Sequence, residues 1–143
     1  MINVNDANEI KVLQPGAIAQ VSAEVNEENT ALKMGSGSLE VFATPAAVAL
    51  IEKAACKLLK PYLEDGVTTV GTRICIDHVS ATPLGCTVTA TAELTEIDGR
   101  RYVFSVRADD ENGEIVRGTH ERFAVRSDRF MEKTINSHKN LNP

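Results

Sequence analysis

The sequence predicts an α+β fold in which a curved antiparallel β-sheet wraps around one long central helix. Three observations lead to this prediction: one amphipathic helical segment, several later segments of alternating apolar residues, and short turn signals between those segments. The chain has 143 residues, and 43% of them are apolar, which is enough for one sizeable core. We therefore expect a single domain over residues 1–143.

The first predicted element is a strand from Ile18 to Val25, and the main helix follows over residues 45–63. Thr44 is expected to act as the N-cap of that helix, because its hydroxyl can accept a hydrogen bond from a free backbone N–H. Pro45 suits the first helical position. Apolar residues then recur at helical spacing, and Gly66 ends the segment. The opposite, polar face of the helix carries Lys53, Lys57, Lys60 and Glu64.

Alternation with a period of two predicts four strands after the helix. Asp98-Gly99 and Asn112-Gly113 are signals for tight hairpins, and residues 83–85 mark a further turn. These short connections favour an antiparallel meander. The predicted strands cover residues 69–82, 87–95, 102–108 and 114–125, and a short helix is expected at about 128–136.

One apolar helix face and one apolar sheet face must cover each other. A curved sheet around the helix does this, and that arrangement is the hotdog fold. The alternative is a cone-shaped sheet packed on several helices, which usually needs more helix than this chain offers.

Composition excludes several classes of function. The net charge is −5, the sequence has no Trp, and only 4% of residues are aromatic, so nucleic acid is not an expected partner. No apolar run approaches the ~18–20 residues of a membrane span, so no membrane partner is expected. The N-terminus lacks a secretory pattern, and this favours a cytoplasmic protein. We expect its three cysteines to be reduced and buried.

Motifs for common cofactors are absent from the sequence. It contains no HxH, HExxH or Cys/His cluster, so no metal is assigned. It also lacks a P-loop, a GxGxxG loop and the GxSxG elbow of α/β-hydrolases. No cofactor is predicted.

Glu52 does not fit the pattern of a simple amphipathic helix. At about 100° per residue, Glu52 falls within the apolar arc of the helix and away from its lysines. A carboxylate buried without a partner would cost several kcal/mol or become protonated. Glu52 must therefore have a polar partner inside, face a cleft, or reach water at the edge of the arc. A carboxylate in a cleft is a candidate for catalysis.

His78 shares strand parity with Ile74 and Ile76 and is expected to face the helix. A histidine on an apolar face is often a core residue whose hydrogen bonds are satisfied. Glu52 and His78 directed at one helix–sheet interface would instead form an acid/base pair. Thr44 lies eight residues before Glu52, about 12 Å along a straight helix, so the two side chains cannot meet within one chain unless the loop before the helix folds back. A second subunit could supply the missing proximity. His120 and its neighbours are expected to form a solvated strand face.

Three stretches of the chain resemble the fluoroacetyl-CoA thioesterase family of hotdog proteins. They are Val-Phe-Ala-Thr at 41–44 with Glu52, residues 71–78 with Ala-Thr-Pro at 81–83, and Gly-Thr-His-Glu-Arg at 118–122. The similarity extends from about residue 39 to about residue 130, in the same order and at the same spacings. The resemblance implies a homodimer that hydrolyses a short acyl-CoA thioester at sites on the subunit interface.

The resemblance also implies roles for individual residues. Thr44, Glu52 and His78 correspond to the catalytic Thr, Glu and His of the family. Gly71 corresponds to a glycine whose N–H contacts the substrate carbonyl, and Arg122 to an arginine near the substrate. Phe42 belongs to the shared motif and is assigned to substrate binding.

One departure from the family concerns a phenylalanine lid upstream of the Val-Phe-Ala-Thr stretch. Counting back six residues from Thr44 gives Ser38, which lies within Gly-Ser-Gly-Ser at 35–38. A broader or different acyl preference than fluoroacetyl is therefore expected. The leading hypothesis is an acyl-CoA thioesterase. The alternatives are a non-catalytic acyl-CoA-binding or sensing module and an enoyl-thioester hydratase or dehydratase on the same fold.

Overall fold

The computed structural model describes residues 12–139, which form one five-stranded antiparallel sheet and three α-helices. The strand order across the sheet is β1-β3-β4-β5-β2. The strands are β1 (Ile18–Glu24), β2 (Val67–His78), β3 (Thr87–Asp98), β4 (Arg101–Asp110) and β5 (Gly113–Arg126), and the helices are α1 (Ala31–Met34), α2 (Thr44–Leu59) and α3 (Ser127–Lys139).

The long helix α2 covers the inner face of the sheet, as the sequence predicts. Its buried side chains pack mainly on β1 and β3, and a single 3₁₀ turn, Lys60–Tyr62, extends it to the end of the predicted segment. Helix and sheet share one hydrophobic core that includes Ile51, Leu59 and Phe104. The α+β prediction with one central helix is confirmed.

The N-cap prediction for Thr44 is wrong by one residue. Ala43 occupies the cap position, with no side-chain capping bond, and Thr44 is the first helical residue. The N–H of Ala47 closes the first turn on the carbonyl of Ala43 at 3.0 Å. The Thr44 hydroxyl is therefore free of the capping role.

The predicted meander of four strands holds only for β3, β4 and β5. These strands are joined by tight hairpins at Gly99 and Gly113, both with positive φ angles. In contrast, β2 pairs with β5 at the far edge of the sheet and does not contact β3 as a neighbour. The connection over residues 79–86 is too long for a tight hairpin, so it can carry the chain across the sheet.

A β-bulge at Thr72 divides β2 into two parts. Paired residues in an antiparallel sheet direct their side chains to the same face. Gly71 pairs with Arg122, and beyond the register shift Ile74 pairs with His120. One extra residue thus changes the alternation of β2, so that Gly71 and His78 both lie on the inner face despite their odd and even numbers.

The cysteines differ from the expectation of buried thiols. All three are free, as expected, but Cys56 and Cys75 are exposed and Cys86 is half-buried. Cys75 is on the outer side of an edge strand and Cys56 is on an uncovered side of α2, so neither is packed in the core. None of the helices within residues 12–139 is long and apolar enough to cross a membrane.

Candidate active site

The first part of the site joins the start of α2 to the end of β2. The Thr44 hydroxyl lies 2.8 Å from Nδ1 of His78. The chain before α2 is tied to the loop after β2, because the N–H of Phe42 donates to the carbonyl of Thr82 at 2.8 Å and Val41 forms a β-bridge with Pro83. These backbone contacts bring the two side chains together.

The second nitrogen of His78 has no such contact. Its Nε2 atom is buried and has no hydrogen-bond partner among residues 12–139. A buried polar atom left unpaired costs about 1–3 kcal/mol. The imidazole that contacts the Thr44 hydroxyl therefore has one nitrogen whose hydrogen bond is not formed within the described residues.

The second part of the site is centred on the carboxylate of Glu52. Its Oε2 atom accepts a hydrogen bond from Nη1 of Arg122 at 2.8 Å, and the side chain is 40% exposed. Gly71 lies directly against the same oxygen, since a Cβ at this position would approach Oε2 to 2.5 Å. Glu52 therefore has the inward polar partner that its position in the apolar arc requires, and it also reaches solvent.

Arg122 is buried and makes hydrogen bonds with most of its guanidinium group. Nε donates to the hydroxyl of Thr69 at 2.9 Å and Nη2 donates to the Thr69 carbonyl at 3.1 Å. Nη1 lies between Glu52 and Nε2 of His120, at 2.8 and 3.2 Å. The guanidinium is thus fixed on one side by β2 and directed at the carboxylate on the other.

His120 corrects the prediction of a solvated strand face. It is 1% exposed, and its ring stacks on Phe104 with the centroids 5.9 Å apart. Nδ1 lies 2.7 Å from the carbonyl oxygen of Arg73, which only an N–H can approach so closely. Burial lowers the pKa of His120, opposed by the Arg73 carbonyl bond, while the charge of Arg122 lowers it further.

The structure brings the predicted site residues together in two groups. Thr44 pairs with His78, and Glu52 pairs with Arg122 beside Gly71. The imidazole nearest to the Glu52 carboxylate is that of His120, whose Nε2 is 4.0 Å from Oε2, so the expected Glu52–His78 contact is not formed within one chain. Phe42 packs in the core and is 2% exposed, so its assignment to substrate binding stays a prediction.

Residues 12–139 contain no group of three or more His, Cys, Asp or Glu side chains arranged to hold a metal ion. The polar groups of the site are the carboxylate of Glu52, the guanidinium of Arg122, two imidazoles and the Thr44 hydroxyl. These groups suit acyl transfer to water.

Comparison with known families identifies the family of the chain. The family model for fluoroacetyl-CoA-specific thioesterases matches residues 25–128. The chain belongs to this family. The prediction of a thioester hydrolase is thereby confirmed at the level of the family, and the match includes both parts of the site.

Individual relatives agree with the assignment to the fluoroacetyl-CoA-specific thioesterase family. The fluoroacetyl-CoA thioesterase of Streptantibioticus cattleyicolor is 48% identical over 94 residues, which are 66% of this chain and 68% of that protein. A crystal structure of a mutant of the fluoroacetyl-CoA-specific thioesterase FlK has a TM-score of 0.84 at 36% identity, covering 90% of this chain and 99% of the other.

A more distant structure supports the fold alone. A hypothetical protein from Thermus thermophilus, described as a thioesterase superfamily member, has a TM-score of 0.84 at 23% identity, covering 92% of this chain and 98% of the other. The hotdog prediction is confirmed by these structures.

Sequence reasoning missed two residues of the site, Thr69 and His120. A signal for His120 is present in the strand itself. Val116, His120 and Ala124 share one parity, and both Val116 and Ala124 are apolar, which indicates a buried face. Thr69 gives no comparable signal, because its role depends on Arg122, which is 53 residues away in the chain.

Proposed function

We propose that the protein is an acyl-CoA thioesterase that hydrolyses short-chain acyl-CoA thioesters to a free acid and CoA. The observation that carries this proposal is the Glu52 carboxylate held by Arg122 directly against Gly71. A reacting carbonyl bound at the Gly71 backbone would lie next to the Glu52 carboxylate. Relatives in the same family are named for this reaction on fluoroacetyl-CoA.

Glu52 is the proposed nucleophile or general base. As a base, it takes a proton from water, whose oxygen adds to the thioester carbonyl before the C–S bond breaks and CoA leaves as the thiol. As a nucleophile, it forms a mixed anhydride that water then cleaves. Both routes consume one water per thioester and use the same side chain. Thr44 and His78 would bind the carbonyl and relay protons.

The complete site is proposed to lie at the interface of a homodimer. Thr44 and Glu52 are about 12 Å apart along α2, so one chain does not bring both to a single carbonyl. A second chain, related by a two-fold axis, could present its Thr44 and His78 to the Glu52 of the first.

The inner face of β2 supports the same proposal. This strand is at the edge of the sheet, whereas α2 packs mainly on β1 and β3. Ile74 of β2 therefore remains 38% exposed on the inner face. Edge strands with exposed apolar residues are natural sites for pairing between chains.

The acyl preference is proposed to be broader than fluoroacetyl. Ser38 occupies the position expected for a phenylalanine lid, and it lies in an exposed, irregular segment over residues 35–40. A small polar side chain there would close the acyl site less tightly than an aromatic ring. Substrates somewhat larger than fluoroacetyl should therefore be accepted.

The test is release of free thiol from a panel of short acyl-CoA thioesters. We expect turnover by the wild type and a loss of about 10²-fold or more in Glu52→Gln and His78→Ala. Glu132→Gln changes an exposed helical glutamate outside the site and is the matched control. Because Cys56 and Cys75 are exposed, an enzyme-only blank must accompany each thiol assay.

Two results would contradict the proposed activity, and a third would contradict the assigned residue. Binding of acyl-CoA without thiol release indicates a binding or sensing module. Loss of enoyl absorbance without thiol release indicates a hydratase. Full activity of Glu52→Gln would contradict the assignment of the catalytic carboxylate.

A further inference from the structure

We propose that His120 is a positioning residue of the site, which acts as a neutral acceptor for Arg122 and thereby fixes the Glu52 carboxylate. This inference rests on the proposed function, because it concerns the residue that prepares Glu52 for reaction. His120 itself is 1% exposed, and its Nε2 atom contacts Nη1 of Arg122, so we infer that it acts through Arg122.

The hydrogen bonds of His120 determine its tautomer. The Arg73 carbonyl can only accept, so the Nδ1 atom 2.7 Å away must carry the proton. The Nε2 atom faces Nη1 of Arg122 at 3.2 Å, and a guanidinium can only donate. The two contacts are satisfied together by one form, the neutral imidazole with its proton on Nδ1.

This form of His120 completes the bonding of Arg122. The Nη1 atom has two hydrogens, and its two partners are Glu52 and His120. The remaining contacts of the guanidinium, at Nε and Nη2, go to Thr69. Each contact fixes a different side of the planar group, so the hydrogen directed at Glu52 has one orientation. Loss of the acceptor at His120 would allow Arg122 to turn and the carboxylate to move.

Protonation of His120 would have the same effect as losing the acceptor. A proton on Nε2 would face the Nη1 hydrogens and add a positive charge beside that of Arg122. Across the site, Glu52 from α2 and Glu121 from β5 favour the charged form, β2 contributes the Arg73 carbonyl and β4 contributes the uncharged ring of Phe104. Burial outweighs these groups and keeps the pKa of His120 below its ordinary value.

The sign of the pH dependence follows from this lowered pKa. In the unfolded chain His120 protonates near its ordinary value, about 6.5, whereas the folded protein keeps it neutral to lower pH. Activity that depends on neutral His120 should therefore survive at pH 6.5 and fall as the pH drops through the lower, folded value. Folding stability should begin to decline at higher pH, between about 6.5 and the lower, folded value, because the unfolded chain binds the extra proton first.

Three variants separate positioning from mere packing. His120→Gln keeps an oxygen that can accept from Arg122 but has no group that titrates. His120→Phe keeps the ring and its stacking on Phe104 but has no acceptor. His138→Gln changes an exposed histidine of α3 and is the matched control. We expect kcat to fall about 10²-fold in His120→Phe with KM little changed, and to be largely retained in His120→Gln.

Nitrogen NMR of the wild type tests the tautomer without any assay of activity. We expect a protonated Nδ1 and an unprotonated Nε2 at pH 7, and loss of kcat when the titration reaches protonation of His120. The inference is overturned if Nε2 carries the proton, if kcat persists where NMR shows a charged His120, or if the Gln and Phe variants lose equal activity.

A wild type that hydrolyses no acyl-CoA would be a failure of the proposed function and not of this inference. The NMR result still applies in that case, and a crystal structure of His120→Phe then decides the positioning role. Displacement of Glu52 from Arg122 supports the inference. An unchanged Glu52–Arg122 contact overturns it.

Discussion

The contact between Gly71 and Glu52 shows how a residue without a side chain can define a site. A Cβ at position 71 would lie 2.5 Å from Oε2 of Glu52 and 3.2 Å from Nη1 of Arg122. The φ angle of Gly71 is not in the left-handed region, so the backbone conformation does not require glycine. Glycine is required because the Glu52 carboxylate occupies the space that a Cβ would need.

Gly71→Ala should therefore reduce activity more than stability. The atom that must move is the end of a flexible side chain, so the fold can accept the methyl group while Glu52 is displaced. A displacement of about 1 Å in a catalytic group can cost about 10²-fold in rate. We expect a loss of that order in kcat/KM with little change in the thermal midpoint, measured by thiol release and by calorimetry. Wild-type activity in this variant would contradict the proposed role of Glu52.

For single residues, the sequence predicts which face a side chain points to better than it predicts which residue that side chain contacts. The helical position of Glu52 and the strand parity of His78 are sufficient to direct both side chains to the inner face. Their partners depend on which strands lie side by side. The pairing of Glu52 with Arg122 and not with His78 follows from the neighbouring positions of β2 and β5, which local periodicity does not contain.

Among the elements, β2 departs most from its prediction. Its strand character and its position after the helix are readable from the sequence, but its bulge at Thr72 and its place beside β5 are not. Hairpin signals specify neighbours only where a connection is short, as at Gly99 and Gly113. The eight residues between β2 and β3 are too many to form a tight hairpin, so they do not specify that these strands are neighbours. The packing of the whole sheet decides the strand order.

Gly118 of β5 is expected to be essential for the pairing of these two strands. A Cβ there would collide with the carbonyl oxygen of Cys75 and approach Cα of Ile76 to 2.8 Å. Since these atoms are backbone, the strands themselves must separate. We expect Gly118→Ala to lower the free energy of unfolding by about 1–3 kcal/mol or more, measured by urea denaturation. Gly71→Ala, the same change in the partner strand, is the control, and equal stability of the two variants would contradict this reasoning.

At the scale of the whole molecule, the two parts of the site are anchored at the start and near the middle of one helix. Thr44 begins α2, and Glu52 lies two turns further on. A monomer therefore has all the proposed catalytic residues without uniting them. In the proposed homodimer a second chain would unite them, which makes the oligomeric state part of the proposed chemistry.

Sedimentation analysis should give a particle of twice the chain mass of 15.5 kDa. Ile74→Glu should shift the particle toward the monomer and reduce activity together, because it introduces a charge on the exposed inner face of the edge strand β2. Ile18→Glu adds the same charge to the opposite edge strand, β1, and should leave the oligomeric state and the activity unchanged. A fully active monomer would exclude a site shared between chains.

The single extra residue at Thr72 has a practical consequence for comparing and recombining members of this family. Residues 67–71 and 73–78 present their inner side chains in opposite phases, so no single odd–even rule describes the strand. An alignment that leaves out this extra residue would assign every later residue of β2 to the wrong face of the sheet. A chimera that exchanges either half must keep one residue of spacing, or it will turn His78 outward while leaving Gly71 in place.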